Sequence, residues 1–124
     1  MENREKMLSF VKHEHELETE YREKLAEAKR KSDVKKFFAE YVLRLLKKIN
    51  PDVPMSLINE IKFDEKEFRY EFTGDLAKVV EEIGSQSDLK AIINRMYETA
   101  QHRYKKIEHD ENLDYFRIGN NAKK

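Results

Sequence analysis

Only three glycines and two prolines interrupt the 124 residues of this chain. They stand at Pro51, Pro54, Gly74, Gly84 and Gly119, so no helix-breaking residue occurs before position 51. Glycine and proline are the residues that cost a helix most. A chain with so few of them, filled instead with Glu, Lys, Leu, Ala and Arg, is pushed toward long helices. The expected fold class is mostly α: a helical bundle of two long helices, a short and a long helix, with a β-hairpin at about 60–72.

The first helix is expected from about Glu5 to Lys31. Phe10, Leu17, Tyr21, Leu25 and Ala28 return at helical spacing, with Met7 and Val11 on one shoulder. Lys29, Arg30 and Lys31 close it, as the helix dipole favours. Glu20–Lys24 and Glu27–Lys31 are spaced for pairing one turn apart. Ser32 then offers an N-cap for a second helix over about Asp33–Ile49. Phe37, Phe38, Tyr41, Val42, Leu45, Leu46 and Ile49 make that helix apolar over much of its circumference. It is expected to be central in the fold or covered by a second chain, with Leu43 on its far side. Asn50 before Pro51 ends it.

The middle segment alternates apolar and charged residues: Ile61 and Phe63, then Phe68, Tyr70 and Phe72, separated by Lys62, Arg69 and Glu71. This period of two predicts two half-buried strands joined through Asp64 to Glu67. Phe63 would face Phe68 and Ile61 would face Tyr70, with Lys62 opposite Arg69. A helix from Pro54 to about Phe68 is the competing reading. A short helix from Thr73-Gly74-Asp75 to Ile83 follows, with Gly84 at its C-cap. Ser87 caps the last helix, about Asp88 to Asp110, striped by Leu89, Ile92, Ile93, Met96, Ala100, Tyr104 and Ile107. Leu113, Tyr115, Phe116 and Ile118 come after it. The expected organisation is a single helical domain, 1–118, and a disordered polar tail, 119–124.

Basic and acidic residues balance at 25 each. That argues against a protein built for electrostatic capture, so nucleic acid is a disfavoured partner despite local clusters such as Lys29-Arg30-Lys31 with Lys35-Lys36 and Arg103 with Lys105 and Lys106. The absence of cysteine excludes disulfides, thiolate metal sites and thiol nucleophiles. No phosphate-binding glycine loop or nucleophile elbow occurs, so neither a cofactor nor a catalytic residue is expected. The charged N-terminus and the lack of a long apolar run point to a cytoplasmic protein with no membrane contact.

His13-Glu14-His15-Glu16 looks at first like a metal motif, but residues two apart on a helix point about 200° apart. Glu14 falls within the apolar stripe, where a carboxylate must be paired or neutralised. Glu14 seven residues before Tyr21, then Lys24-Leu25-Ala26-Glu27, Asp33-Val34-Lys35-Lys36-Phe37-Phe38 and the apolar run to Ile49 resemble the ferritin-like family, rubrerythrin-type proteins in particular. The resemblance covers about a third of the chain. It implies a helical metal-binding protein in which Glu14, Glu18 and His15 are the candidate ligands. The chain departs from the family where Leu45 and Lys48 replace its Glu-x-x-His pair.

The leading functional expectation is a small non-enzymatic protein-interaction or regulatory domain acting as a homodimer, with Leu43, Phe68, Tyr70, Phe72 and Phe116 as its contacts. A degenerate ferritin-like metal protein and a nucleic-acid-binding accessory protein are the alternatives.

Overall fold

A computed structural model describes residues 8–64 and 69–122, with side chains as far as Leu113. In chain order the elements are α1 (Val11–Glu27), α2 (Lys31–Ile49), a 3-10 segment (Met55–Glu60), β1 (Ile61–Asp64), β2 (Arg69–Phe72), α3 (Gly74–Gly84) and α4 (Leu89–Ala122). The expected mostly helical bundle with a hairpin is the observed architecture.

The broad apolar face of α2 puts it at the centre. Val34, Phe38, Ala39, Tyr41, Val42, Leu43, Leu45 and Leu46 are all buried. Helices α1 and α4 pack on two of its sides and the 3-10 segment on a third. Pairs between α1 and α2 run in opposite senses, Glu16 with Lys48 and Glu20 with Arg44, so these helices are antiparallel. Pairs between α1 and α4 run in the same sense, Glu14 with Arg95 and the Ala26 and Ala28 carbonyls with Arg103. Leu43 corrects an expectation. It is wholly buried rather than presented to a partner, on a helix that α1, α4 and the 3-10 segment all pack against.

The ends of the helices are set by contacts remote in sequence. Leu8 bridges to Ser87, and the Asp88 carboxylate accepts hydrogen bonds from the Phe10 N–H and the Ser9 hydroxyl at 2.9 and 2.8 Å. Burial pushes the Asp88 carboxyl up, but these donors outweigh it and hold the group below its ordinary value. Extended pairing at 8 is why α1 starts at Val11, while positions 5–7 of its expected first turn lie outside the described residues. At the other end Arg103 donates to the Ala26 and Ala28 carbonyls at 3.1 and 2.7 Å. Helix α1 therefore stops at Glu27, not Lys31. Asp33 accepts from the Lys29 and Arg30 N–H groups, so Arg30 rather than Ser32 occupies the N-cap position of α2. Lys31 reaches Glu108 and Glu111 on α4, and Glu20 turns to Tyr41 and Arg44, in place of the pairs expected within α1.

The hairpin has a register two residues from the expected one. Ile61 pairs with Phe72, Lys62 with Glu71, Phe63 with Tyr70 and Asp64 with Arg69. A slip of two keeps every side chain on its own face, so the alternation alone does not choose between them. Charge does. The expected register set Lys62 against Arg69, whereas the observed one sets two opposite-charge pairs across the strands. The competing helix survives only as the 3-10 turn ahead of β1.

Gly74 makes the turn into α3. Its φ is +57°, and a Cβ there would overlap the Glu60 carboxylate. That carboxylate accepts from the Asp75 N–H at 2.8 Å and lies 3.5 Å from the Leu76 nitrogen. The positive end of α3 is thus occupied by the protein's own acid. Helix α4 starts at Leu89, so Asp88 rather than Ser87 takes its N-cap position, and the Ser87 hydroxyl one residue earlier accepts from the Leu89 N–H at 3.2 Å. Helix α4 then continues past the expected end at Asp110 to Ala122, taking in residues 119–122 that the sequence assigns to a tail.

Candidate interaction groove

Five aromatic rings meet where the hairpin crosses the bundle. Phe38 of α2 lies 6.1 Å from Phe63, 5.1 Å from Tyr70 and 6.2 Å from Tyr97, centroid to centroid. Tyr70 in turn lies 4.9 Å from Tyr97 and 5.3 Å from Phe72. Phe38 is fully buried, and the other four are only half-buried. Burial, with a smaller contribution from Tyr97, raises the Tyr70 phenol above its ordinary value.

A groove of about 580 Å³ opens beside this cluster. All four residues of β2 line one wall, while Ala77 and Val80 of α3 with Ile93 and Tyr97 of α4 line the other. The groove therefore runs the length of a strand. β2 belongs to a two-stranded sheet and has a strand neighbour on one side only, among the described residues. Glu81 and Lys90 form a 2.8 Å ion pair at the rim. An apolar, aromatic floor beside a strand edge is suited to hold another extended segment.

Two of the expected contact residues, Tyr70 and Phe72, are brought together here, and Leu43 is not. Phe68 lies outside the described residues. Phe116 falls on the α4 backbone, but its side chain lies outside them too. Sequence reasoning missed Val80, Ile93 and Tyr97 as members of the site. Ile93 belongs to the buried stripe expected for the last helix, Tyr97 follows Met96 on that stripe's shoulder, and Val80 lies within the expected short helix. A tyrosine next to a core stripe is the signal the sequence offered.

The candidate metal ligands sit elsewhere. Glu14, His15 and Glu18 line a separate pocket of about 260 Å³ between α1 and α4, together with Leu17, Leu45 and Met96. Glu14 is paired, as its place on the stripe requires: both its oxygens accept from the Arg95 guanidinium, at 2.8 and 3.0 Å. That bond, ahead of the cost of burial, raises the Arg95 value. Glu18 accepts from Arg22 at 3.1 Å, and His15 is exposed. No group of three His, Cys, Asp or Glu placed to hold a metal occurs among the described residues. Several of the basic residues are also engaged. Lys47 donates to the Val53 carbonyl, Lys48 to Glu16 and Arg103 to the end of α1. No helix of the described residues is long and apolar enough to cross a membrane.

Compared with protein-family models, curated proteins and solved structures, the chain matches none. The ferritin-like resemblance of residues 14–49 therefore rests on the sequence alone.

Proposed function

We propose that this protein is a non-enzymatic protein-interaction domain that works as a homodimer. The observation that carries this reading is the groove along β2, where Tyr70, Phe72 and Tyr97 are only partly buried beside a strand that has one strand neighbour among the described residues. Large aromatics left in that state stabilise an interface when a second surface completes their burial. Two-fold homodimers are the commonest closed assemblies, which makes a second copy the first partner to consider. The absence of cysteine suits a reducing compartment such as the cytoplasm. Light scattering on the purified chain tests the reading. The expected mass is about twice 14.9 kDa. A monomer that persists at high micromolar concentration overturns it.

A further inference from the structure

We infer that two copies join edge to edge through β2, antiparallel, about a two-fold axis that passes between Tyr70 and the partner's Tyr70. This rests on the homodimer reading and specifies its geometry. Antiparallel partners directly opposite one another share a face, so a two-fold pairing of β2 with itself must be centred on a residue. Only four centres exist within Arg69–Phe72. Centred on Arg69, two guanidinium groups meet on the axis. Centred on Glu71, two carboxylates meet there. Like charges directly opposite are destabilising. Centred on Phe72, Glu71 pairs beyond the strand with Thr73 and most of the edge is left over.

Centred on Tyr70, Arg69 faces the partner's Glu71 and Glu71 faces the partner's Arg69. The hairpin already sets Asp64 opposite Arg69 and Lys62 opposite Glu71. The four-stranded sheet therefore carries two rows on its outer face, each alternating in sign from end to end. One row reads Asp64, Arg69, the partner's Glu71, the partner's Lys62, and the other is its symmetry mate. Arg69 keeps its place opposite Asp64 throughout. On the inner face Tyr70 lies beside the partner's Tyr70, flanked by the Phe63 of each hairpin. The second strand lies along the groove that all of β2 lines. The charge pattern of the strand is thus complementary to itself in one register and opposed in the two neighbouring ones.

The chain has no cysteine, so a single introduced thiol is unique. Arg69→Cys and Glu71→Cys chains are prepared separately, mixed in equal amounts and oxidised mildly. Opposite positions bring Cβ atoms to about 4.5–5.5 Å, close to disulfide geometry, whereas diagonal ones lie at about 7–8 Å. The mixture should form linked dimers several-fold faster than either variant alone, because only the mixed dimer sets the two thiols opposite each other. It also retains one Arg69–Glu71 pair. A native mass of two chains with no advantage for the mixture overturns this register and leaves the homodimer reading standing. A single-chain mass for the unmodified protein overturns both. Should a thiol variant fail to fold, a chain with Asp64→Arg and Arg69→Glu and a chain with Lys62→Glu and Glu71→Arg serve instead, each keeping opposite charges across its own hairpin. Each alone should be monomeric and their mixture dimeric, and dimers of either variant alone overturn the proposal.

Discussion

The bundle formed by α1, α2 and α4 and the quarter formed by the hairpin and α3 solve the same problem differently. Within the bundle, two tyrosines are sealed and their hydroxyls find partners. Tyr21 is buried and donates to the Met96 carbonyl at 2.7 Å, and Tyr41 is buried and donates to Glu20 at 2.6 Å. Arg44 lies over the Tyr41 ring at 4.8 Å while pairing with Glu20 and Glu40. Where the hairpin quarter meets α4, Tyr70, Phe72 and Tyr97 are only partly buried around a groove. One region has completed its packing within the chain. The other holds a surface that a second strand would complete.

Leu43→Ala separates the two regions most strongly. It deletes a fully buried side chain and should cost roughly 2–5 kcal/mol, read from urea denaturation. Once allowance is made for the unfolded fraction, self-association should not change. A loss of dimer without a loss of stability would return Leu43 to the contact surface and break the distinction. Gly74→Ala comes next. A left-handed backbone costs a residue with a Cβ about 1–2 kcal/mol, and here the new methyl must also displace the Glu60 carboxylate. Thermal unfolding should show that loss, and Glu60→Ala should make the second substitution milder, because the two share one cause.

Tyr70→Ser reverses the ratio. Half of a full aromatic burial amounts to about 1 kcal/mol of folding stability. Its effect on the dimer dissociation constant should be larger, as expected for a central aromatic in an interface. Sedimentation equilibrium alongside denaturation measures both. The smallest effect is one of pH within the bundle. Burial and the hydrogen bond to Glu20 push the Tyr41 phenol up to about 12, from an ordinary 10. A folded value above the unfolded one means that the folded state holds its proton more tightly. Tyr41's contribution is therefore whole below about pH 10 and is lost as pH rises toward about 12. The stability gap between the wild type and Tyr41→Phe should narrow over that interval.

How much of this was legible in the sequence follows from the range of each interaction. The central place of α2 was legible because the face from Val34 to Leu46 is local. The hairpin was legible because a period of two needs only neighbours. Its register was not settled by the apolar residues, since matching phenylalanines in either of two registers keeps the faces. The charges Lys62, Asp64, Arg69 and Glu71 held that information. Glu14 stood out as a carboxylate on an apolar stripe, but its partner Arg95 is 81 residues away and no spacing rule reaches it. The late start of α1 depends likewise on Asp88, 78 residues from Phe10. The burial of Leu43 needed the number of neighbours around α2, which a helical wheel does not contain. The groove itself is made by β2, α3 and α4 together, and only its aromatic members announced themselves.

Hydrogen exchange measured on the wild-type chain at low and at high concentration tests the division most directly. Amides of β2 should gain protection as concentration rises, while amides of α2, already sealed within one chain, should exchange at the same rate throughout. Equal insensitivity of both regions to concentration, or protection gained in α2 rather than β2, would contradict the account.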